Sequence, residues 1–307
     1  MRVLVVGAGA VGGYFGGRMA EKGLDVTFLV REGRRKQLQE RGLVIESVHG
    51  NFSFQPKTIV TGEKSEPFEV ILLATKAYHL KGAIQDIRPY VTENTIILPV
   101  LNGIRHFDLL DQAFGADKII GGLCFIESTL DSEGKVIQTS PAHELVFGER
   151  TGAKTERIGK MEEAFSGTKA NIRLSDQINR DLWHKYLFIS TMSGITTLMG
   201  APIGPIRNNE SGHHTIERLL NEIIAVMNRL EAPIADNIAS AQMKQIDGLD
   251  FEMKASMQRD MEKNSQIEAD HLHGYLLEAA HKGQIPVPVL EAVYANLKIY
   301  EGQHRAL

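Results

Sequence analysis

Residues 7–12 read Gly7-Ala8-Gly9-Ala10-Val11-Gly12, directly after the apolar run Val3-Leu4-Val5-Val6. Three glycines at this spacing, between a strand and a helix, can hold a pyrophosphate. Gly7 permits a tight turn, Gly9 lets backbone N–H groups approach phosphate oxygens, Gly12 lets the helix lie close on the strand, and the helix N-terminus adds positive potential. The G-x-G-x-x-G pattern alone is weak; its strand–turn–helix–strand setting makes it diagnostic of a dinucleotide site. The plainer reading is a glycine-rich turn without a ligand. The second strand runs out at Val30-Arg31-Glu32-Gly33-Arg34-Arg35-Lys36. A carboxylate at such a strand end would accept from a ribose 2′-OH. Arg31 instead offers a guanidinium, which pairs with a 2′-phosphate. The expected cofactor is therefore NADP(H), held by residues 7–12 and by Arg31. The competing reading of Arg31 is a solvated basic helix start.

The elements that must position these groups follow from length and pattern. The 307 residues suggest about two domains at ~150 residues each. With 43% hydrophobic and 23% charged residues the chain is globular rather than disordered. A formal net charge of −4 gives no electrostatic case for nucleic acid or a membrane surface. The single cysteine, Cys124, excludes an internal disulfide and a multi-thiolate metal site. The N-terminal apolar run is too short for a signal-peptide core. Residues 186–206 carry no charge but contain Gly200, Pro202, Gly204 and Pro205, so they read as a buried helix and a turn rather than a membrane span. A cytoplasmic location is expected.

Arg2–Val6, 24–30, 69–75 and 95–101 read as buried strands, alternating with helices at 10–22, 34–41 and 78–88. That rhythm implies right-handed crossovers and a parallel sheet. Two stretches with period-2 alternation, 44–54 and 122–147, read as antiparallel hairpins appended to it. A polar-faced helix at 155–169 and a short strand, Asn171–Leu174, complete the first half. Beyond 174 only helical periodicity remains, including the stripe Leu219, Ile223, Val226 and Leu230, a second stripe from Leu272 to Ala280, and a last helix at 289–301. The expected division is an α/β dinucleotide-binding domain, 1–174, and an all-α domain, 175–307.

Five local signatures occur together: Gly7–Gly12 with Arg31, Thr75-Lys76-Ala77, Leu101-Asn102-Gly103, Trp183-His184-Lys185, and Ala255-Ser256-Met257 with Asp260 and Glu268. This set resembles the ketopantoate reductase (2-dehydropantoate 2-reductase) family over nearly the whole chain. The resemblance implies a Rossmann domain, a helical domain like that of the 6-phosphogluconate dehydrogenases, an active site between them, NADPH as cofactor, and reduction of a 2-oxo acid to a 2-hydroxy acid. It also implies a homodimer.

Lys185 matches the family's catalytic lysine. Hydride delivery to a ketone builds negative charge on oxygen, and a lysine, with a reference pKa of ~10.4, can donate a proton there and stabilise the charge. The plainer reading is a surface lysine on an amphipathic helix. Glu268 matches the family carboxylate expected to accept from the substrate hydroxyl. Ser265-Gln266-Ile267-Glu268 equally reads as a capping box, with Ser265 as N-cap. Ser256 matches a substrate-contacting position, and Asp260 lies one helical turn on. By resemblance Asn102 positions the nicotinamide ribose and the substrate, with Lys76 near the same place, both just past the carboxyl ends of parallel strands. Their plainer readings are a turn-forming Asn-Gly pair and an edge lysine.

Two positions depart from the family pattern. Members with ketopantoate activity typically carry Asn four and eight residues after the catalytic lysine, where this chain has Ile189 and Ser193. On a helix these share a face with Lys185, so they are expected to line the substrate wall and to broaden or redirect substrate choice.

No metal is expected. His213-His214 and His271-x-His273 cannot converge from one helix face, His143-Glu144 lacks a second histidine, and Cys124 reads as a small core residue. The leading expectation is NADPH-dependent reduction of ketopantoate on the way to pantothenate. The alternatives are a related reductase of another 2-oxo acid or ketone, and a catalytically inactive NADPH-binding redox sensor, against which the retained Lys185 and Glu268 argue.

Overall fold

The computed structural model describes residues 1–304, which form two compact units. The first comprises Met1–Leu101 and His106–Asn179; the second takes in Asn102–Arg105 and the chain from Arg180 onward.

The first unit holds ten strands: β1 (Arg2–Val6), β2 (Asp25–Leu29), β3 (Leu43–Ser47), β4 (Phe52–Phe54), β5 (Lys57–Ile59), β6 (Val70–Leu73), β7 (Ile96–Pro99), β8 (Gly121–Leu130), β9 (Val136–Gly148) and β10 (Asn171–Leu174). Its helices are α1 (Ala10–Glu21), α2 (Glu32–Arg41), α3 (Leu80–Ile87), α4 (Arg105–Phe114) and α5 (Glu156–Phe165). One sheet has the order β5-β2-β1-β6-β7 and is parallel throughout. Its central strands have no polar face because both faces are covered: Val3, Leu4, Val5 and all of β6 are fully buried.

The hairpin stretches do not extend this sheet, as their alternation suggested. They build a second one, ordered β10-β9-β3-β4 with β8 on β9, in which β3–β4 and β8–β9 are antiparallel but β3–β9 and β9–β10 are parallel. Helix α1 is clamped between the two sheets. A methyl group at Gly16 would lie 2.8 Å from Val5 and at Gly17 2.5 Å from Ile45, so the Gly-Gly-Tyr-Phe-Gly-Gly sequence is what lets one helix touch both.

Among the described residues the second unit is helical: α6 (Ile178–Met199), α7 (Ile203–Asn208), α8 (Glu210–Arg229), α9 (Ile238–Asp247), α10 (Ser256–Glu262), a π-helical turn (Asp270–Gly274) running into α11 (Tyr275–Lys282), and α12 (Pro288–His304). Asn209 caps α8 by accepting from the Gly212 N–H at 3.0 Å. The Glu222 carboxylate in α8 accepts from the N–H groups of Val289 and Leu290 at 3.1 and 2.8 Å, which caps α12. Helix α6 is buried despite its Ser and Thr content because the hydroxyls of Thr191, Ser193, Thr196 and Thr197 each donate to the carbonyl four residues back. No helix of the described residues is long and apolar enough to cross a membrane.

Candidate active site

In the first unit the glycine turn follows β1. Gly7 has φ +95°, and a methyl there would sit 3.0 Å from the Ala74 carbonyl oxygen. A methyl on Gly12 would lie 2.1 Å from the Gly7 carbonyl oxygen, so turn and helix are in backbone contact. At Gly9 nothing lies within 4 Å of an added methyl. The tight turn, the close helix and the open space over the middle glycine are what a dinucleotide pyrophosphate requires.

The loops after β2 and β6 flank this turn, since those strands lie on either side of β1. Arg31 stands at the start of α2, exposed, with Nη2 3.5 Å from Nδ1 of His79. Burial, and then the Arg31 charge, push the His79 imidazole below its usual range. Lys76, half-buried, precedes the short 3₁₀ turn Ala77–His79 in the same loop. Arg34 and Arg35 serve other ends. Arg35 pairs with Glu63 at 2.6 Å. Arg34 donates Nε–H to the Ala8 carbonyl at 3.1 Å and Nη2–H to that of Gly134 at 2.9 Å, bracing the glycine turn. His79 and Arg34 were not anticipated: one belongs to no motif, and the other is a single member of a basic cluster whose tertiary partners lie far along the chain.

In the second unit Lys185 is 8% exposed and shares one face of α6 with Ile189 and Ser193. Ser193 is almost fully buried and donates its hydroxyl to the Ile189 carbonyl at 2.5 Å. Directly before Lys185, His184 accepts from the Ala235 N–H at 3.1 Å through Nε2, and burial lowers its pKa.

The expected capping box does not form. Helical structure begins only at Ala269, so Ser265 lies four residues upstream and Glu268 immediately before the first turn. The Glu268 carbonyl accepts from the Leu272 N–H at 3.1 Å. Two bonds fasten this segment to α6: the Tyr186 hydroxyl donates to the Leu272 carbonyl at 2.5 Å, and Nε2–H of His273 to the Ser190 carbonyl at 2.9 Å. Asn102 packs against the same segment, with its carbonyl 2.8 Å from Nε2 of His271. The unit thus brings Asn102, the Glu268 segment and the Lys185 helix together. Ser256 is the exposed first residue of α10, and Asp260 follows in the same helix. Cys124 is buried in β8, and no group of three or more His, Cys, Asp or Glu among the described residues is placed to hold a metal ion.

Residues 3–152 match the ketopantoate reductase PanE/ApbA family, and residues 177–301 its C-terminal domain, ketopantoate reductase PanE/ApbA C terminal. The uncharacterized oxidoreductase YkpB of Bacillus subtilis (strain 168) is 48% identical over 303 residues, covering 99% of this chain and 100% of its own. The 2-dehydropantoate 2-reductase of Geobacter metallireducens GS-15 superposes with a TM-score of 0.87 at 27% identity, over 97% of this chain and 99% of its own. A D-mandelate dehydrogenase, solved as a ternary complex with NADH and anilino(oxo)acetate, shares the fold with a TM-score of 0.88 at 19% identity, over 99% and 100% of the two chains. With both of its units matched in order, the chain belongs to the ketopantoate reductase family and is an oxidoreductase.

Proposed function

We propose that this oxidoreductase uses NADPH to reduce the ketone of a 2-oxo acid to the 2-hydroxy acid, with 2-dehydropantoate as substrate and pantothenate biosynthesis, in the cytoplasm, as its setting. The observation that carries the reading is the buried Lys185 on a helix fastened to the Glu268 segment through Tyr186 and His273. Residues 7–12 would hold the pyrophosphate and Arg31 the 2′-phosphate, with Lys76 and Asn102 as further cofactor contacts. When bound, the nicotinamide supplies the hydride that the carbonyl carbon receives. Lys185 gives a proton to the carbonyl oxygen and stabilises its developing charge, Glu268 accepts from the resulting hydroxyl, and Asn102 and Ser256 hold the substrate. A homodimer is the assembly that goes with this reading, as named for the dimeric ketopantoate reductase of Staphylococcus aureus.

The test is NADPH oxidation with ketopantoate and a panel of other 2-oxo acids, repeated with NADH and with Lys185→Ala. Turnover on ketopantoate that prefers NADPH and falls by at least a hundredfold in the variant supports the reading. Tight NADPH binding with no turnover on any carbonyl rejects it.

One observation favours a second reading, reduction of a different 2-oxo acid. The wall beside Lys185 carries Ile189 in place of an amide, and the Ser193 hydroxyl is engaged by its own helix. Such a wall suits a more apolar acid, and the D-mandelate dehydrogenase of the same fold holds an aromatic one. The same panel separates the two readings by which acid gives the higher kcat/KM.

A further inference from the structure

We propose that His271 is a positioning residue: by donating Nε2–H to the Asn102 carbonyl it holds the Asn102-Gly103 turn against the segment that carries Glu268. The proposal rests on the reading above in assigning Asn102 and Glu268 to substrate.

Four observations carry it. The acceptor is a carbonyl oxygen, so the 2.8 Å contact requires the proton on Nε2 and defines the tautomer. The turn is seated on the histidine itself: Gly103 has φ +76°, and a methyl there would meet Leu272 at 2.9 Å and the His271 ring at 3.4 Å. His271 lies in the π-helical turn Asp270–Gly274, a turn with i→i+5 bonding that is often found at functional sites. That turn is anchored on α6 directly after His271, through Leu272 and His273. The ring therefore joins a fixed segment to the Asn102-Gly103 turn, beside the contact that Arg105 makes to the Asp270 carbonyl at 3.4 Å.

Its charge state suits the task. Glu268 and the Asn102 carbonyl favour the imidazolium, but burial outweighs them and Arg105 opposes them, so the pKa lies below its usual value. A neutral ring beside Glu268 can hold the loop without competing, as a cation, with the substrate for the carboxylate.

The experiment compares His271→Gln, which keeps a donor near the Nε2 position, with His271→Phe, which keeps a ring without one. His271→Asn, whose amide is too short to reach, serves should the Phe variant fail to fold. We expect KM for the 2-oxo acid to rise about tenfold in H271F and H271N with a smaller change in kcat, and to recover at least half-way in H271Q. The Asn102→Ala background keeps the main-chain carbonyl but removes the side chain being positioned, so there H271F adds little further loss. Equal KM in wild type and H271F, no rescue by Gln, or losses that multiply in the double variant overturn the proposal. If the wild type turns over no 2-oxo acid, the functional reading fails and the positioning claim is decided by amide hydrogen exchange. Exchange at residues 103–104 should be faster in H271F and restored in H271Q; unchanged exchange overturns it.

Discussion

The phenolic hydroxyl of Tyr186 donates to the main-chain carbonyl of Leu272 at 2.5 Å, and both residues are buried. Tyr186 follows Lys185 directly, and Leu272 is the first residue whose N–H returns to the Glu268 carbonyl. One hydrogen bond thus links the helix of the proposed acid to the segment of the proposed carboxylate. Burial raises the phenol pKa well above its usual value, so the hydroxyl remains a donor throughout the working pH range. Tyr186→Phe leaves the Leu272 carbonyl buried without this partner, at a cost of about 1–3 kcal/mol. We expect a lower urea midpoint and a reduced kcat, with NADPH affinity unchanged. A variant that loses NADPH affinity and keeps its midpoint would contradict the purely local role.

The glycine turn separates folding from binding within one motif. Gly9→Ala places a methyl in open space at an ordinary φ of −87°, so the protein should keep its melting temperature and lose dinucleotide affinity at least tenfold. Gly12→Ala drives a methyl to 2.1 Å from the Gly7 carbonyl oxygen and should lower the melting temperature itself. Thermal melts and NADPH fluorescence titrations of the pair check both statements. Full NADPH affinity in G9A would remove the pyrophosphate from this turn.

Arg31→Ala should weaken NADPH binding by ten- to a hundredfold and leave NADH binding nearly unaltered, because Arg34 and Arg35 are held by Ala8, Gly134 and Glu63 and are not placed to substitute. Equal losses for the two cofactors would show that Arg31 does not read the 2′-phosphate.

These predictions use features of unequal visibility in the sequence. The four-residue apolar runs of β6 and β7 and the glycines of residues 7–12 declare themselves because burial on both faces and close backbone approach each demand particular residues locally. The hairpin β8–β9 is legible by its period-2 alternation. That β3 then pairs with β9 in parallel, Ile45 opposite Val136, is not, because nothing near either strand encodes a partner some ninety residues away. Strand β5 has only three residues, too few to show a period. In the second unit Lys185 and Glu268 stand out by type and by family resemblance. The π-helical turn between Glu268 and α11 has the composition of any α-helix, and Ser265 to Glu268 reads as a cap only until the Ser265 N–H is seen to return to the Asp260 carbonyl at 2.8 Å. His271 and Arg34 act through backbone carbonyls of distant segments, and a carbonyl acceptor leaves no mark on the sequence.

Ile189→Asn tests the substrate wall. Ile189 is partly buried, one helical turn from Lys185, so an amide there lies on the lysine's face of α6. The change should raise kcat/KM for ketopantoate relative to an aromatic 2-oxo acid by about tenfold, the scale at which one hydrogen bond to a substrate oxygen discriminates. An unchanged ratio would show that residue 189 does not meet the substrate.

His273 predicts how stability depends on pH. It is fully buried in the π-helical turn, donating to the Ser190 carbonyl, and burial lowers its pKa from 6.5 to about 4. Because the folded pKa is the lower one, the unfolded chain takes up the proton first as the pH drops. The contribution is therefore complete above pH 6.5 and is lost progressively towards pH 4, by about 3 kcal/mol over that window. The lowered values of His79, His143, His184 and His271 act in the same direction, and carboxylates add their own dependence, so only a difference isolates this residue. His273→Gln keeps a donor for Ser190 and removes the titration. Urea unfolding at pH 7 and pH 4.5 should show the wild type losing 2–3 kcal/mol more than the variant, on the scale of about 1.4 kcal/mol per pKa unit. Parallel losses in the two proteins would place the acid sensitivity elsewhere.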